Sequence, residues 1–477
     1  MKSRDSRFDG RLFVGVHTTG IYCRPICPAR TPKFENVTFF NNAAAAQEAG
    51  FRPCLRCRPE CSPEIGAWRG TSNTVSRALA LIGDGFLDGD ADVEKLAARL
   101  GVGERQLRRL FQQHLGASPI TVAQTRRVHL AKQLIHDTSM SMVDVALASG
   151  FGSVRRFNDT FQKLYKRPPS ELRRRQARDP AIMITLSYVP PYDWGAMMDF
   201  FAARAIEGIE VVEPDRYRRT IAIDGEQGTI SVSPVVGKNA LAATIAFPNV
   251  KALPTIVSRI RRMFDVGADI RAINAHLKKD PRLADAIRAR PGLRVPGAWD
   301  PFELALRAVL GQQITVGAAR KLAGKLVALC GPALVPGMPG LTHVFPTPAQ
   351  VAAADLSKLG MPGARLRTLA AVAKATIDQP DLFSTARDLE SAVARLCALP
   401  GIGEWTAQYI ALRALHEPDA FPASDVGLLR AMDDYLGKRA SPEELLMLAQ
   451  VWRPWRAYAA QHLWTDNAVI AAAKKAA

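Results

Sequence analysis

The spacing of hydrophobic and polar positions divides the chain into stretches of different structure. Between residues 8 and 60, Gly and Pro punctuate short β-branched runs such as RLFVGVHTTGIY, a pattern that predicts short strands and turns. From about residue 72 to 175, apolar residues recur three and four positions apart, as in DVEKLAARLGVGERQLRRLFQQHLG, which predicts helices. The first third of the chain is therefore expected to hold a small strand-and-turn module and then an all-α module.

The rest of the chain changes pattern twice. The segments ITLSYV, YRRTIAI, GTISVSPVV and LAATIAF alternate like strands, and the basic run RRR at 173–175, followed by ARDPA, predicts a linker and a boundary near residue 180. Helical periodicity returns after about residue 290. We therefore predict a multidomain, mainly α protein with α+β parts. Its four modules are a small zinc-type module at 1–66, an all-α module at 72–176, an α+β subdomain at 181–290 and an all-α domain at 291–471.

Composition adds a charge argument. The 477 residues are 48% hydrophobic and carry a formal net charge of +18. Residues 1–178 alone hold 29 basic and 16 acidic side chains, so the first third is the more basic part. A positive field of this size favours nucleic acid or an anionic membrane as partner, although solvated charged faces remain an alternative for charge alone. No apolar run approaches the ~20 residues of a membrane span, and no export signal is present, so we expect a cytoplasmic protein without a membrane partner.

Four of the seven cysteines lie in one short stretch. Cys23 and Cys27 are separated by three residues, Cys54 and Cys57 by two, and the two pairs by 26. Two short turns at this spacing can present four thiolates tetrahedrally, which predicts a Zn²⁺ site. Cys61 lies outside the paired spacing. Cys330 and Cys397 lie in apolar helical contexts, where we expect them to be core residues.

A four-cysteine zinc site has two possible roles. A purely structural site is the ordinary interpretation of the spacing. Metal-bound sulfur also stays thiolate at neutral pH, however, and thiolate is the nucleophilic form of cysteine. From the residues alone, both roles remain open.

The sequence segments around the cysteines show a specific resemblance to a known family. The segments TTGIYCRPICPAR and NVTFFNNAAAAQEAGFRPCLRC resemble the methyl-acceptor zinc domain of the Ada adaptive-response proteins. The resemblance implies that Cys23 accepts a methyl group from a methylphosphotriester in DNA and that Cys27, Cys54 and Cys57 are its fellow ligands. Methylation would remove negative charge and strengthen DNA binding by basic neighbours. That family normally has a helical segment before DGRLFVGV, so we expect either a trimmed domain or a misassigned start here.

Two helix-turn-helix units follow the cysteines. Residues 92–112 and 141–163 each place a Gly-containing turn between two short helices. A helical hairpin with exposed arginines is the alternative for either unit alone, but two units ending in YKRPPSELRR resemble the AraC-type DNA-binding domain. Second helices of such units enter the major groove, where Arg reads guanine and Asn or Gln reads adenine. The candidate base-reading residues are Arg105, Gln106, Arg108 and Arg109 in the first unit and Ser153, Arg155, Arg156 and Asn158 in the second.

The word LPGIG at 399–403 places Gly401 and Gly403 in a tight turn between helical segments. Its backbone amides could bind a DNA phosphate at a helix N-terminus, although an ordinary interhelical turn is the alternative. LPGIGEWTAQYIALRAL is followed by an acidic residue in FPASDVGLLRAM, which resembles the helix-hairpin-helix base-excision glycosylases. The resemblance makes Asp425 the catalytic carboxylate, where N-capping of the next helix would be its ordinary role.

From ITLSYVPPYDWGAMMDFFAAR to RPWRAYAAQHLWTD the chain resembles the AlkA class of DNA-3-methyladenine glycosylases. The resemblance implies that Trp405, Tyr409 and Trp464 are pocket aromatics, and that Phe200 and Arg204 lie near that pocket. Core packing is the alternative for each aromatic residue. Bifunctional relatives have a Schiff-base lysine where this chain has Trp405, so a monofunctional hydrolase is expected. Gln313 replaces an apolar wedge residue and Val426 a tyrosine, and we expect altered efficiency or lesion preference from both.

Together these features predict a protein of DNA alkylation repair and response. Its partner is expected to be double-stranded DNA, both alkylated and at specific promoter sites, with Zn²⁺ as cofactor and no obligate protein partner. The Pro-Cys-His-Arg methyltransferase word is absent, so direct repair of O6-methylguanine is not expected. One alternative is a methylation-activated transcriptional regulator with an inactive glycosylase half. Another is an N-terminal unit that only targets DNA, without methyl transfer to Cys23.

Overall fold

The computed structural model describes residues 4–63, 73–88, 92–173, 182–384, 388–436 and 440–476. The chain forms two compact units. The first comprises residues 1–189, 232–261 and 266–268, and the second comprises 190–231, 262–265 and 269–477. The division therefore passes through one strand and the end of one helix. The linker predicted at 174–180 lies outside the described residues.

The first unit begins with a small four-stranded sheet in the order β3-β1-β2-β4. Its strands are β1 (Phe13–Val16), β2 (Ile21–Cys23), β3 (Val37–Phe40) and β4 (Arg52–Pro53), with helix α1 (Ala43–Glu48) between the last two. Gly15 pairs with both Tyr22 and Thr38 in the middle of this sheet. A Cβ at Gly15 would lie 2.8 Å from the Phe40 ring and 2.9 Å from the Phe51 ring, so the aromatic core requires glycine there.

Six helices follow, and no strand occurs between them in the described residues. They are α2 (Asn73–Gly83), α3 (Val93–Arg99), α4 (Glu104–Leu115), α5 (Pro119–Asp137), α6 (Met142–Ala148) and α7 (Val154–Tyr165). The side chains of Ser118, Ser141 and Ser153 cap α5, α6 and α7 by accepting a backbone N–H three residues on. Apolar residues of α2 to α4 and the start of α5 form one core around Leu107 and Phe111. The predicted all-α module is thus confirmed over these residues.

The remaining strands include four that the sequence predicted. They are β5 (Ile182–Ser187), β7 (Arg216–Ile223), β8 (Glu226–Pro234) and β9 (Ala240–Ala246), together with β6 (Glu210–Glu213). In the first unit β5 pairs antiparallel with β9, with Ile184 opposite Ala243. In the second unit β6 pairs antiparallel with β7, with Val211 opposite Arg218. Strand β8 and helix α9 (Leu253–Met263) are divided between the two units.

The second unit contains most of the helices. They are α8 (Trp194–Arg204), α10 (Ile270–Leu277), α11 (Pro281–Ala289), α12 (Pro301–Leu310), α13 (Val316–Cys330), α14 (Pro348–Ala353), α15 (Gly363–Asp378), α16 (Leu389–Cys397), α17 (Glu404–Arg413), α18 (Val426–Leu436), α19 (Pro442–Leu448) and α20 (Arg456–Ala476). Helices α12, α13, α15 and α17 share one apolar core. No helix among the described residues is both long and apolar enough to span a bilayer.

The sequence analysis did not predict one strand pair of the second unit. Strands β10 (Ala333–Met338) and β11 (Leu341–His343) form a hairpin inside the region of helical periodicity. Leu334, Leu341 and Val344 are buried against Val211 and Ala222 of the β6–β7 pair. The hairpin is stabilised by tertiary contacts, and its Gly- and Pro-rich sequence carries only a weak strand signal.

A buried network of charged side chains ties α12 to the β6–β7 pair. Arg307 binds both Glu210 and Glu303, at 2.6 and 2.7 Å, and Arg219 binds Glu303 at 2.7 Å. The Tyr217 hydroxyl donates to Glu210 at 2.7 Å. Burial alone would raise the pKa of Glu303, but the two guanidinium groups outweigh it and the pKa is lowered. The carboxylate is therefore held ionised in the interior.

We expect Glu303→Gln to lower the free energy of unfolding by about 3–5 kcal/mol at neutral pH, because it leaves two buried guanidinium groups short of a counter-charge. The folded pKa of Glu303 lies below its ordinary value of 4.5. Its contribution is complete above that value and is lost as pH falls through the folded pKa. Urea unfolding from pH 3 to 7 should therefore show that the difference in free energy of unfolding between wild type and Glu303→Gln becomes smaller in acid. Asp285→Asn, in an exposed pair with Arg288, is the control, and an equal loss there would contradict the assignment.

Candidate functional site

The four cysteines of the predicted zinc site meet in one buried cluster. Their sulfur atoms all lie within 4.8 Å of one another. Cys23 ends β2, and the Cys54 N–H donates to the Tyr22 carbonyl at 3.0 Å, so the pairing of β2 with β4 brings the two cysteine pairs together. Cys61 lies outside the cluster. The expectation that Cys397 is a core residue is wrong, because it is exposed on α16, whereas Cys330 is partly buried against the core.

The donor set fits a tetrahedral Zn²⁺ ion. Four sulfurs at a Zn–S distance of ~2.3 Å lie about 3.8 Å apart, within the observed spread. Hydrogen bonding to Cys54 raises the pKa of Cys23, while hydrogen bonds from Cys23 and Cys57 lower the pKa of Cys54. Four thiolates this close repel one another, and a dication removes that repulsion. The backbone N–H groups of Arg24 and Arg56 also donate to the Cys57 and Cys54 sulfurs, at 3.3 and 3.4 Å.

Helix α5 contacts the cysteine loop through a fully buried ion pair. Lys132 Nζ lies 2.9 Å from the Glu60 carboxylate and donates to the Cys54 carbonyl oxygen at 3.3 Å. Tyr22 and His129 share a 2.9 Å hydrogen bond beside it. The Lys132 ammonium also lies 5.5 Å from the centre of the Tyr165 ring at the end of α7. One lysine thus contacts the backbone of a metal-ligating residue and the last residue of a helix-turn-helix unit.

Both predicted helix-turn-helix units are present. Helices α3 and α4 form the first, and α6 and α7 form the second, with α5 between them. The second helix of each unit buries an apolar face and leaves the opposite face in solvent. Arg105, Arg108, Arg109, Arg155, Arg156 and Asn158 are exposed on these helices, and Gln106 is half-buried. Ser153 caps α7, so its hydroxyl is engaged with the Arg156 N–H.

A cavity of about 730 Å³ lies in the second unit. It is lined by five of the predicted pocket residues and by the predicted carboxylate: Phe200, Arg204, Trp405, Tyr409, Trp464 and Asp425. The Trp405 and Tyr409 rings are stacked at 5.5 Å, and Trp464 meets Tyr409 edge-on at 6.5 Å. Helices α8, α17 and α20 bring these residues together from widely separated parts of the sequence. These rings therefore pack against one another and also face the cavity.

Asp425 is held by hydrogen bonds on both carboxylate oxygens. Oδ2 accepts from the Trp405 indole N–H at 2.9 Å, and Oδ1 accepts from the Trp464 indole N–H at 2.8 Å. Oδ1 also accepts from the backbone N–H groups of Gly427 and Leu428, at 2.9 and 3.1 Å. Asp425 thus caps α18 and also lies between two aromatic walls of the cavity. The capping role and the pocket position are compatible, because one carboxylate serves both.

The turn at 399–403 depends on a glycine in left-handed backbone and on a glutamine that bonds to it. Gly401 has a φ of +81°, and a Cβ there would collide with the Thr368 side chain. Gly403 caps α17 without a side chain, which leaves the N-terminus of that helix accessible. The Gln312 amide donates to the Gly401 carbonyl at 3.0 Å, which links this turn to the loop after α12. Gln313, next to it, is exposed in left-handed backbone at φ +58° and does not line the cavity.

Sequence reasoning missed two residues of this region, Gln312 and Arg413. Arg413 lies on α17, four residues after Tyr409 and eight after Trp405, so helical spacing alone could have placed it on the cavity side. Gln312 precedes the predicted wedge position and carried no separate signal. Arg413 is nearly fully buried, and burial lowers its pKa to about 10.

Four family models match successive parts of the chain. They are the metal binding domain of Ada at residues 1–60, a helix-turn-helix domain at 96–175, the AlkA N-terminal domain at 183–300, and the HhH-GPD superfamily of base excision DNA repair proteins at 306–457. Their order agrees with the order of the sites described above.

A relative in Mycobacterium tuberculosis matches nearly the whole chain. It is 41% identical over 473 residues, which cover 98% of this chain and 95% of the relative, and it is named "Probable bifunctional transcriptional activator/DNA repair enzyme AlkA". The chain belongs to this family.

Two Escherichia coli proteins match separate parts of the chain. The Escherichia coli protein "DNA-3-methyladenine glycosylase 2" is 35% identical over 289 residues, covering 59% of this chain and 96% of that protein. The E. coli "Bifunctional transcriptional activator/DNA repair enzyme Ada" is 38% identical over 117 residues, covering 24% of this chain and 31% of that protein. This AlkA-type protein therefore joins an Ada-like zinc and helix-turn-helix regulator to a helix-hairpin-helix DNA glycosylase. It binds Zn²⁺ and DNA.

A solved structure supports the fold of the glycosylase part. The "3-methyladenine dna-glycosylase from Archaeoglobus fulgidus" superposes with a TM-score of 0.53 at 23% identity, covering 59% of this chain and 97% of that one. The likeness confirms the predicted fold class for this part of the AlkA-type protein.

We expect Gly401→Ala to destabilise the protein by more than about 1–3 kcal/mol, the range for a non-glycine residue held in left-handed backbone, because the new methyl group also meets Thr368. Gly403→Ala is the matched control, since Gly403 has negative φ and open space around its Cβ position. Thermal unfolding of the two variants should show a clear drop in Tm for the first and a small change for the second. Equal shifts would mean that the Gly401 backbone is not what fixes this turn.

Proposed function

We propose that the glycosylase half hydrolyses the N-glycosidic bond of alkylated bases such as 3-methyladenine in duplex DNA, with Asp425 as the catalytic carboxylate. The observation that supports this most directly is the position of Asp425 at the wall of the cavity, between the indoles of Trp405 and Trp464. A relative covering this half is named for 3-methyladenine. The cavity volume of about 730 Å³ also suffices for a flipped purine.

The reaction needs a negative charge near the sugar. Breaking the C1′–N bond gives the sugar oxocarbenium character, which an ionised Asp425 stabilises while it orients or deprotonates the attacking water. The two indole N–H groups hold both oxygens in place and so reduce the reorganisation needed during the reaction. Trp405 offers no amine for a Schiff base, so the enzyme acts by hydrolysis alone and leaves the abasic strand uncut.

The aromatic rings and the hairpin have binding roles in this proposal. Trp405, Tyr409, Trp464 and Phe200 stack on and enclose the flipped base, with Arg204 at their edge. The amides around Gly401 and Gly403 bind a DNA phosphate at the N-terminus of α17. Gln313, exposed on its loop, inserts into the gap left by the flipped nucleotide and hydrogen-bonds the orphaned base.

We propose that Cys23 accepts the methyl group of a methylphosphotriester. The cysteine sulfur forms a bond to the methyl carbon while the methyl–oxygen bond breaks, and the electron pair leaves with the phosphate oxygen as a phosphodiester anion. Cys27, Cys54 and Cys57 complete the ligand set, and the metal keeps Cys23 in the thiolate form. Converting a thiolate to a thioether removes one negative charge near the DNA, so phosphate binding becomes stronger.

The two exposed helix faces then read promoter DNA in this proposal. The proposed base-reading side chains are exposed or half-buried on the second helices, as contact with DNA bases requires. They are Arg105, Gln106, Arg109, Arg155, Arg156 and Asn158. We place the zinc module at 1–66, the AraC-type module at 72–176, the α+β subdomain at 181–290 and the catalytic helical domain at 291–471. Double-stranded DNA, both alkylated and at specific promoter sites, is the partner, and no obligate protein partner is required.

Asp425→Asn should abolish excision, with a fall in the single-turnover rate of at least about a hundredfold, because the neutral amide removes the charge that stabilises the sugar. The amide still caps α18, so folding should be kept. The measurement is release of free 3-methyladenine from methylated duplex DNA. Asp269→Asn, at the cap of α10 and outside the cavity, is the matched control and should retain activity. No release by folded, zinc-loaded wild type would instead favour a regulator with an inactive glycosylase half.

Methyl transfer to Cys23 should be visible by mass spectrometry. After incubation with an oligonucleotide carrying one methylphosphotriester, the peptide containing Cys23 should gain one methyl group in place of a hydrogen, and Cys23→Ser should gain none. Cys61→Ser is the control, because Cys61 lies near the cluster but outside it, and it should be methylated like wild type. If the protein retains zinc but Cys23 is not methylated, the role of this module is structural and limited to DNA targeting.

A further inference from the structure

Arg413 is a charged residue in the wall of the glycosylase cavity without an ionic partner. It is 2% exposed. Its Nη1 donates to the Pro296 carbonyl at 2.9 Å and its Nη2 to Gln461 Oε1 at 2.8 Å, while Nε has no hydrogen-bond partner. Within the part of the chain that the structure describes, no carboxylate contacts it, and the charge of Asp425 acts on it only at longer range. A buried guanidinium without a contacting carboxylate costs stability, which makes Arg413 a candidate for a functional role.

The same guanidinium lies close to three of the aromatic rings that line the cavity. Its Cζ is 4.5 Å from the centre of the Phe200 ring, 5.2 Å from that of Trp464 and 5.7 Å from that of Tyr409. Arg204 lies 4.0 Å from the Phe200 ring as well. The π-faces that would attract a cationic base are therefore already close to an internal cation.

The charges in the cavity wall have a defined arrangement. Burial lowers the pKa of Arg413 only to about 10, so it stays charged at neutral pH. Burial would raise the pKa of Tyr409, but the nearby charges of Arg413 and Arg204 outweigh it and the pKa is lowered. Glu210, Glu303, Arg219 and Arg307 also line the cavity, but they neutralise one another in the buried network. Asp425 is the carboxylate next to the aromatic rings.

We infer that Arg413 is a specificity-determining residue that presents a positive charge to the base, so that the cavity weakens binding of cationic bases and accelerates departure of both cationic and neutral ones. This inference rests on the proposed glycosylase function. It names the residue whose charge decides how binding and bond cleavage in this cavity depend on the charge of the base.

The charge balance of the reaction explains the effect. When the C1′–N bond breaks, its electron pair leaves with the base, whose charge falls by one unit. A cationic base leaves neutral, and water supplies hydroxide to C1′ and releases a proton to solvent. A neutral base leaves as an anion, and the same water supplies hydroxide to C1′ and the proton to the base. A fixed positive charge beside the base favours both changes, but it repels only the cationic ground state.

Binding separates this electrostatic role from a structural one. We would measure the Kd of wild type and Arg413→Met for two duplexes that cannot be cleaved, one with 2′-fluoro-substituted 7-methylguanine, which is cationic, and one with 7-methyl-7-deazaguanine, its neutral isostere. Removing the charge should tighten binding of the cationic duplex by roughly tenfold and leave the neutral duplex within about twofold. Parallel changes on both duplexes, or no change on either, would overturn the inference.

Kinetics give the second readout. In single-turnover excision, Arg413→Met should slow release of the neutral base from a deoxyinosine duplex by roughly tenfold to a hundredfold, with its Kd unchanged. Arg294→Met is the matched control, because Arg294 is equally buried, binds backbone carbonyls and lies 5.0 Å from the Tyr192 ring, yet does not line the cavity. It should change neither rate nor Kd ratio. An equal slowing in this control would assign Arg413 to folding alone.

Two further variants distinguish the loss of the charge from a folding defect. Arg413→Gln removes the charge but keeps a donor for Pro296 or Gln461, and it should repeat the change in Kd ratio; Arg413→Lys keeps the charge and should restore the wild-type ratio. The Kd measurement needs no turnover. It therefore tests the role of Arg413 even if Asp425→Asn retains activity and the proposed mechanism is wrong. A Kd ratio that is the same in wild type, Gln and Lys variants would contradict the inference whatever the catalytic result.

Discussion

The glycosylase unit depends on two glutamates that bind two arginines in its interior. Glu210 and Glu303 hold Arg307 between β6 and α12, and Glu303 also binds Arg219. A buried pair of this kind contributes little net stability compared with apolar packing, but it cannot lose one member without leaving a bare charge. It therefore fixes the position of α12 relative to the β6–β7 pair. Because these side chains also line the cavity, the same constraint shapes the site.

A comparable constraint holds the cysteine loop in the first unit. Lys132 and Glu60 are both fully buried, and the lysine also donates to the carbonyl of Cys54. The zinc ligands are thus connected to α5, and through the Lys132 contact with Tyr165 to the end of α7. The lysine that contacts the cysteine loop is thus also packed against the end of α7. Energetic coupling between two sites needs such contacts between packed residues.

Asp425 and Arg413 give the cavity two charges of opposite sign. The carboxylate is fixed by two indoles and a helix terminus, and the guanidinium by two hydrogen bonds and three rings. Glycosidic cleavage moves positive charge from the base towards the sugar, whatever the initial charge of the base. A site with fixed charges at both ends of that movement requires little reorganisation at the moment of reaction. In the proposed function, the aromatic rings bind the base by stacking, and the two fixed charges act on the cleavage of the glycosidic bond.

The sequence by itself indicated the order of the modules, the four cysteines of the zinc site and the two helix-turn-helix units, because each lies in a local segment whose spacing carries the signal. Strands β5, β7, β8 and β9 were readable for the same reason, since their alternation is local. Asp425 was singled out only by the resemblance to the glycosylases, since capping of the next helix is its ordinary role at that position. The tertiary structure alone decided the rest. The β10–β11 hairpin forms because Leu334 and Leu341 pack on β6 and β7, and Gln312 reaches Gly401 across 89 positions of sequence. Helical spacing places Arg413 on the same side of α17 as Tyr409, but only the tertiary structure brings Phe200 of α8 and Trp464 of α20 close to its guanidinium group.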